Sequence, residues 1–125
     1  MNSLSNRIVL ITGGSTGVGF SVAQKMIESG ATVVITARHE EKLKAACSKL
    51  GENAHFFVCD VADRPRVKNV VNEIVEKFGR IDILVNNAGT NTLHRPIAKM
   101  PPEEWDRIFA VNATGTYNVV YYILP

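Results

Sequence analysis

Four short apolar runs separated by longer amphipathic segments predict an α/β protein with a doubly wound parallel sheet of about four strands. The runs, at residues 7–12, 32–36, 54–59 and 81–85, are too short for helices and rich in Val, Ile or Phe. Several are apolar without alternation, as in "ILV" and "FFV", which suits strands covered on both faces. Segments with helical spacing fill the intervals, so each strand connects to the next through a right-handed crossover.

The first run leads into "ITGGSTGVGF", residues 11–20, which opens a helix carrying Val22, Met26 and Ile27 before Gly30. The second precedes a helix with Leu43, Ala46, Cys47 and Leu50 on one side, ended at Gly51. The third precedes the clearest helix. Val67, Val70, Val71, Ile74, Val75 and Phe78 recur at i, i+3, i+4, i+7, with Asp63 as N-cap, Pro65 in the first turn and Gly79 as the stop. The fourth run is followed by a loop and a last helix from about residue 102. Stepping 100° per residue from Trp105 puts Ile108, Phe109, Val119, Val120 and Ile123 in one stripe, with Asn112 and Thr116 near its middle. A polar side chain buried there must find a partner or lose about 1–3 kcal/mol. The 125 residues make one domain, without linker, repeat or low-complexity tract.

Bulk properties exclude several classes. A net charge of +2 is too small to indicate nucleic acid, and the basic run Arg64-Pro65-Arg66-Val67-Lys68 reads as a solvated helix face with no interleaved aromatics. Cys47 and Cys59 have no second pair and no His at zinc spacing, so they read as small buried thiols in a reducing compartment, with no metal. There is no signal-peptide pattern and no run of eighteen apolar residues, so a cytoplasmic protein without membrane contact is expected.

The glycine loop sits where a helix N-terminus offers free N–H groups and a positive dipole end to a phosphate. A Walker A loop is disfavoured: Gly17 is followed by Val18 and Gly19 by Phe20, not by Lys and a hydroxyl. The G-x-G-x-x-G fingerprint also fails, because position 22 is Val. The pattern present, Thr12-Gly13-x-x-x-Gly17-x-Gly19 with Ser15, Thr16 and Val18 between, still supplies a tight turn and bare backbone for a pyrophosphate. Taken alone, it equally fits a strand-to-helix turn that needs positive φ.

With "CDVAD", "RIDILVNNAG" and "VNATG" following in order, the sequence resembles the short-chain dehydrogenase/reductase family over essentially its whole length. The resemblance implies a Rossmann-type sheet whose loop residues Gly13, Ser15, Thr16, Gly17, Val18 and Gly19 hold the cofactor pyrophosphate. It implies that Asp60 and Val61 hold the adenine, and that Asn87, Ala88 and Gly89 pass along the adenosine ribose. Asn86 reads as a tie between strand ends. Asn112 matches the Asn of a catalytic tetrad with Ser, Tyr and Lys, helping to hold a water in the proton relay. At the end of the second strand Ala37 stands where NAD-type members tend to carry Asp. Arg38 offers a planar fork suited to a 2′-phosphate, so NADP(H) is favoured over NAD(H). Glu40 and Glu41 read as first-turn helix acids.

The family's Tyr-x-x-x-Lys is absent: position 121, four after Tyr117, is Tyr. Family members run to about twice this length, so the chain reads as the N-terminal portion of the NAD(P)-binding domain, inactive by itself. The implied reaction is hydride transfer between nicotinamide and a carbonyl or alcohol carbon of a small molecule. The alternative is a short non-catalytic form acting as a cofactor-binding or subunit-interaction module. Tyr117, Tyr121 and Leu124 lie off the main stripe of an almost wholly apolar last helix, which suits a homo-oligomer contact. His94 reads as an exposed loop residue.

Overall fold

A computed structural model describes residues 3–89 and 99–124. The order is β1 (Ile8–Thr12), α1 (Gly17–Glu28), β2 (Thr32–Ala37), α2 (Glu40–Leu50), β3 (Ala54–Val58), α3 (Arg64–Phe78) and β4 (Ile83–Asn86). Then come α4 (Pro102–Phe109), a π-helical turn (Ala110–Thr114) and α5 (Gly115–Ile123). The strands form one parallel sheet in the order β3-β2-β1-β4. Strand ends differ from the sequence expectation by one or two residues, most at β4, where residues 81 and 82 precede the strand and Asn86 joins it.

The period-two alternation of a strand divides the core in two. Val9, Ile11, Val33 and Ile35 pack against Ala23 of α1 and Leu43 and Ala46 of α2. Ile8, Leu10 and Val34 face the opposite way, onto Val67, Val70, Val71 and Ile74 of α3 and Val119 of α5. Each fully buried aliphatic side chain stabilises the fold by about 1.5–3 kcal/mol. Helix α3 starts and stops as its local signals dictate: the Asp63 side chain accepts from the Arg66 N–H at 3.2 Å, and Gly79 takes up the left-handed conformation.

At the amino-terminal edge of the sheet, Asp82 fastens β4 to the start of β1. Its carboxylate accepts from the Ile8 N–H and from Arg80 Nε, each at 2.8 Å. Arg80 also donates to the Asn6 carbonyl. The Ile8 N–H, aided by Arg80 and Arg7, holds the Asp82 carboxyl below its ordinary pKa.

Two expectations are corrected. The last helix is not one continuous α-helix. Its π turn takes up more residues per turn than an α-helix, so a stripe counted at 100° per residue loses phase across it. Asn112 is therefore exposed, and Trp105 and Phe109 are more than half exposed, stacked on each other at 6.0 Å. The buried polar residue of this segment is Asn118, at 0% exposure. The basic run, in turn, is not simply solvated. Arg64 Nε donates to Asn118 Oδ1 at 2.9 Å, and Arg66 Nε donates to the Val58 carbonyl at 2.9 Å. No helix of the described residues is long and apolar enough to cross a membrane.

Candidate functional site

From β1 the chain winds outward through β2 to β3, then returns across β1 to β4. The order therefore reverses between β1 and β4, and such a switch point opens a crevice at the carboxyl ends of the strands. A cleft of about 260 Å³ lies there. Its walls are Gly13, Ser15 and Thr16 of the glycine loop, residues 36–39 at the end of β2, residues 59–61 after β3 and residues 87–89 after β4. Lys42 of α2 and Val111 of the π turn complete it.

Thr12 joins the two strand ends that frame this crevice. It is 2% exposed, and its hydroxyl donates to Asn86 Oδ1 at 3.2 Å. The same oxygen accepts from the N–H groups of Asn87 at 3.0 Å and Ala88 at 2.9 Å. Asn87 Nδ2 then donates to the Gly13 carbonyl at 3.1 Å, which fixes the glycine loop against the turn after β4. Asn86 thus ties strand ends together, and its Nδ2 donates to the Thr116 carbonyl at 3.5 Å.

Close approach explains two of the glycines. Gly13 has φ +68°, and a Cβ there would sit 3.0 Å from Ala88 Cα; at Gly19 a Cβ would collide with the Gly13 carbonyl oxygen. Helix α1 begins just beyond, its N-cap Thr16 making no side-chain capping bond and its first turn holding no acid. That leaves the positive end of the helix dipole for an anion.

At the other end of the cleft, Arg38 is exposed and its side chain has no hydrogen-bond or ion-pair partner among the described residues. The neighbouring acids are turned to a different task. Lys44 Nζ lies 3.2 Å from Glu40 and 3.9 Å from Glu41, and Glu40 raises the Lys44 pKa. Asp60 forms a compact turn in which its Oδ1 accepts from the Ala62 N–H at 2.9 Å. Asn112 stands beside the mouth: its Oδ1 is 3.4 Å from where a Cβ on Gly89 would lie. Its carbonyl accepts from the Thr116 hydroxyl at 3.0 Å.

Of the expected residues, Gly13, Ser15, Thr16, Arg38, Asp60, Val61, Asn87, Ala88 and Gly89 line one cleft, and Asn112 adjoins it. Gly17, Val18 and Gly19 do not line it. Gly17 and Val18 border a shallow groove on the outer side of α1, with Val18 70% exposed. His94 lies outside the described residues. Sequence reasoning missed the hub role of Thr12, whose partners are remote in sequence. It also missed Gly14, where a Cβ would meet Ile35 Cγ2 at 2.5 Å, and Lys42, one turn into α2. Cys59 also lines the cleft, its thiol pushed up to about 11 by burial and hence protonated at neutral pH. Among the described residues no cluster of His, Cys, Asp or Glu is placed to hold a metal ion.

Comparison with known proteins finds the family model "short chain dehydrogenase" matching residues 7–125. A 3-oxoacyl-[acyl-carrier-protein] reductase of Thermotoga maritima is 35% identical, the alignment covering 98% of this chain and 50% of that protein. A serine 3-dehydrogenase of Rhizobium radiobacter is 35% identical, covering 94% and 47% respectively. The crystal structure of a 3-ketoacyl-(acyl-carrier-protein) reductase from Brucella melitensis complexed with NADH superimposes with a TM-score of 0.94. It is 34% identical, with 98% of this chain and 50% of that one covered. The chain spans about half the length of the curated relatives it matches.

Proposed function

This chain belongs to the short-chain dehydrogenase family, and on that premise we propose that it is the cofactor-binding portion of an NADP(H)-dependent oxidoreductase. The cofactor, when bound, supplies or accepts a hydride at a carbonyl or alcohol carbon of a small-molecule substrate. The described residues offer surroundings suited to the adenosine and pyrophosphate parts of such a dinucleotide. The glycine loop and the start of α1 offer a bare backbone and a positive dipole to the pyrophosphate. Asp60 and Val61 border the adenine end, and the small side chain of Ala88 with Gly89 leaves room for a flat ligand beside the turn after β4.

One observation carries the preference for NADP(H). Arg38 projects at the end of β2 without a partner among the described residues. Ala37 beside it supplies no carboxylate to repel a 2′-phosphate, and Glu40 and Glu41 are engaged by Lys44. An Arg fork suits that dianion. The Brucella melitensis relative was crystallised with NADH, so the phosphate-bearing cofactor is a property argued from this chain's own residues.

The proximity of Asn112 Oδ1 to Gly89 supports giving Asn112 the role of steadying a water near the reacting end of the cofactor. The 125 residues contain no Tyr-x-x-x-Lys, so the general acid and base are not among them. Such a group is worth about 10²–10⁴ in rate, and the chain alone should show no useful turnover. The exposed Tyr117 and Tyr121 of α5, with Leu124 just beyond its end, support a contact with a second copy.

The test is a pair of titrations. Arg38→Ala should weaken NADPH binding by about tenfold or more, the worth of a charge-assisted contact, while NADH binding changes little. Equal losses for both cofactors would refute the assignment.

A further inference from the structure

Asn118 is wholly buried, does not itself line the cleft, and is used by none of the functions assigned above. Its Nδ2 donates to the Val61 carbonyl at 3.0 Å, while its Oδ1 accepts from Arg64 Nε at 2.9 Å. Val61 is the last cleft residue after β3, and its side chain rests against Gly115 so closely that a Cβ at Gly115 would strike Val61 Cγ2. The turn that follows is short and self-contained: the Ala62 N–H bonds Asp60 Oδ1 at 2.9 Å and the Asp63 N–H bonds the Asp60 carbonyl at 2.9 Å. Asp63 then caps α3. Helix α5 therefore holds this turn by one buried amide and one close packing contact, and Arg64 at the first turn of α3 orients that amide.

We infer that Asn118 is a positioning residue for the adenine end of the cleft. It holds the Val61 carbonyl and with it the Asp60 and Val61 wall, and Arg64 fixes which end of the amide faces Val61. The inference rests on the reading of Asp60 and Val61 as the adenine wall. Its chemistry is that of a buried amide with both polar atoms partnered: with Arg64 on the oxygen, the nitrogen is left to donate to Val61. Arg64 also lies 5.9 Å over the ring of Tyr117, on the exposed face of α5. The orienting residue thus sits between the cleft and the surface proposed for a second copy.

Asn118→Asp keeps size and shape but turns an acceptor toward the Val61 carbonyl. Amide hydrogen exchange and calorimetric titration with adenosine 2′,5′-bisphosphate read the two consequences. The Ala62 and Asp63 amides should exchange about tenfold faster while sheet amides stay protected, and the ligand should bind about tenfold more weakly. If that variant does not fold, the surface substitution Arg64→Ala should move both readouts the same way by about threefold, with Arg64→Lys restoring them. Unchanged exchange in the turn, or faster exchange with unchanged affinity, overturns the inference. If the unaltered chain binds no adenosine bisphosphate, the functional reading fails instead, and exchange in the turn still decides whether Asn118 holds it.

Discussion

Thr12 shows how much one small side chain contributes when its neighbours are chosen by the fold. A single hydroxyl satisfies Asn86 Oδ1 and two backbone N–H groups of the turn after β4, all at least 74 positions away in sequence. The glycine beside it and Gly19 work by absence: α1 reaches the Gly13 carbonyl only because position 19 has no Cβ. Gly19→Ala should push the helix from the loop, costing about 1–3 kcal/mol as overpacking does. Urea denaturation is the check, and an unaltered midpoint would contradict the packing argument. At this scale, local motifs revealed Gly13, Arg38, Asp60 and residues 87–89 because each belongs to a short pattern at a strand end. Thr12's partners were not legible, since they depend on β1 and β4 being neighbours. Nor was the exchange of roles between Asn112 and Asn118. Both are asparagines on an apolar helix, and only the π turn decides which is buried.

Elements differ in how far they follow from local rules. Helix α3 carries its own start, stripe and stop: the structure puts the start and stop where those signals do and buries Val67, Val70, Val71 and Ile74, while Val75, counted in the stripe, is 44% exposed. The α4 to α5 segment has a stripe too, but the π turn rephases it, and a turn of that kind has no simple residue signature. The strands were legible as apolar runs, while their ends follow the ladder rather than composition, as Asn86 pairing with Thr12 illustrates. The clasp between β1 and β4 gives a pH-dependent prediction. Asp82 has its native pKa depressed chiefly by the Ile8 N–H, so its contribution to stability is full above the ordinary carboxylate value, about 3.9, and is lost as pH falls through the lower native value. Asp82→Asn should therefore be less stable than the parent at neutral pH, with the gap closing on acidification. Denaturation midpoints of both proteins measured between neutral pH and the acid limb test this, and a gap constant across that range would argue against it.

Taken whole, the molecule is a two-sided parallel sheet whose carboxyl ends gather one cleft from loops spread over most of the described chain. The doubly wound class and the position of that cleft were legible because strand–helix alternation determines both. The order β3-β2-β1-β4 then explains why four separated motifs meet: three lie at the carboxyl ends of β1, β3 and β4, and "VNATG" lies on the helical segment beside them. Outside the cleft, α5 presents Tyr117 and Tyr121 stacked at 5.6 Å with both rings more than half exposed. Binding of a phosphorylated nicotinamide dinucleotide in this cleft can be followed by ¹⁵N amide shifts during titration with NADPH. Shifts are expected to concentrate at residues 13–16, Arg38, Asp60, Val61 and residues 87–89. No shifts at saturating ligand, or shifts confined to the outer face of α1 or to α5, would contradict it.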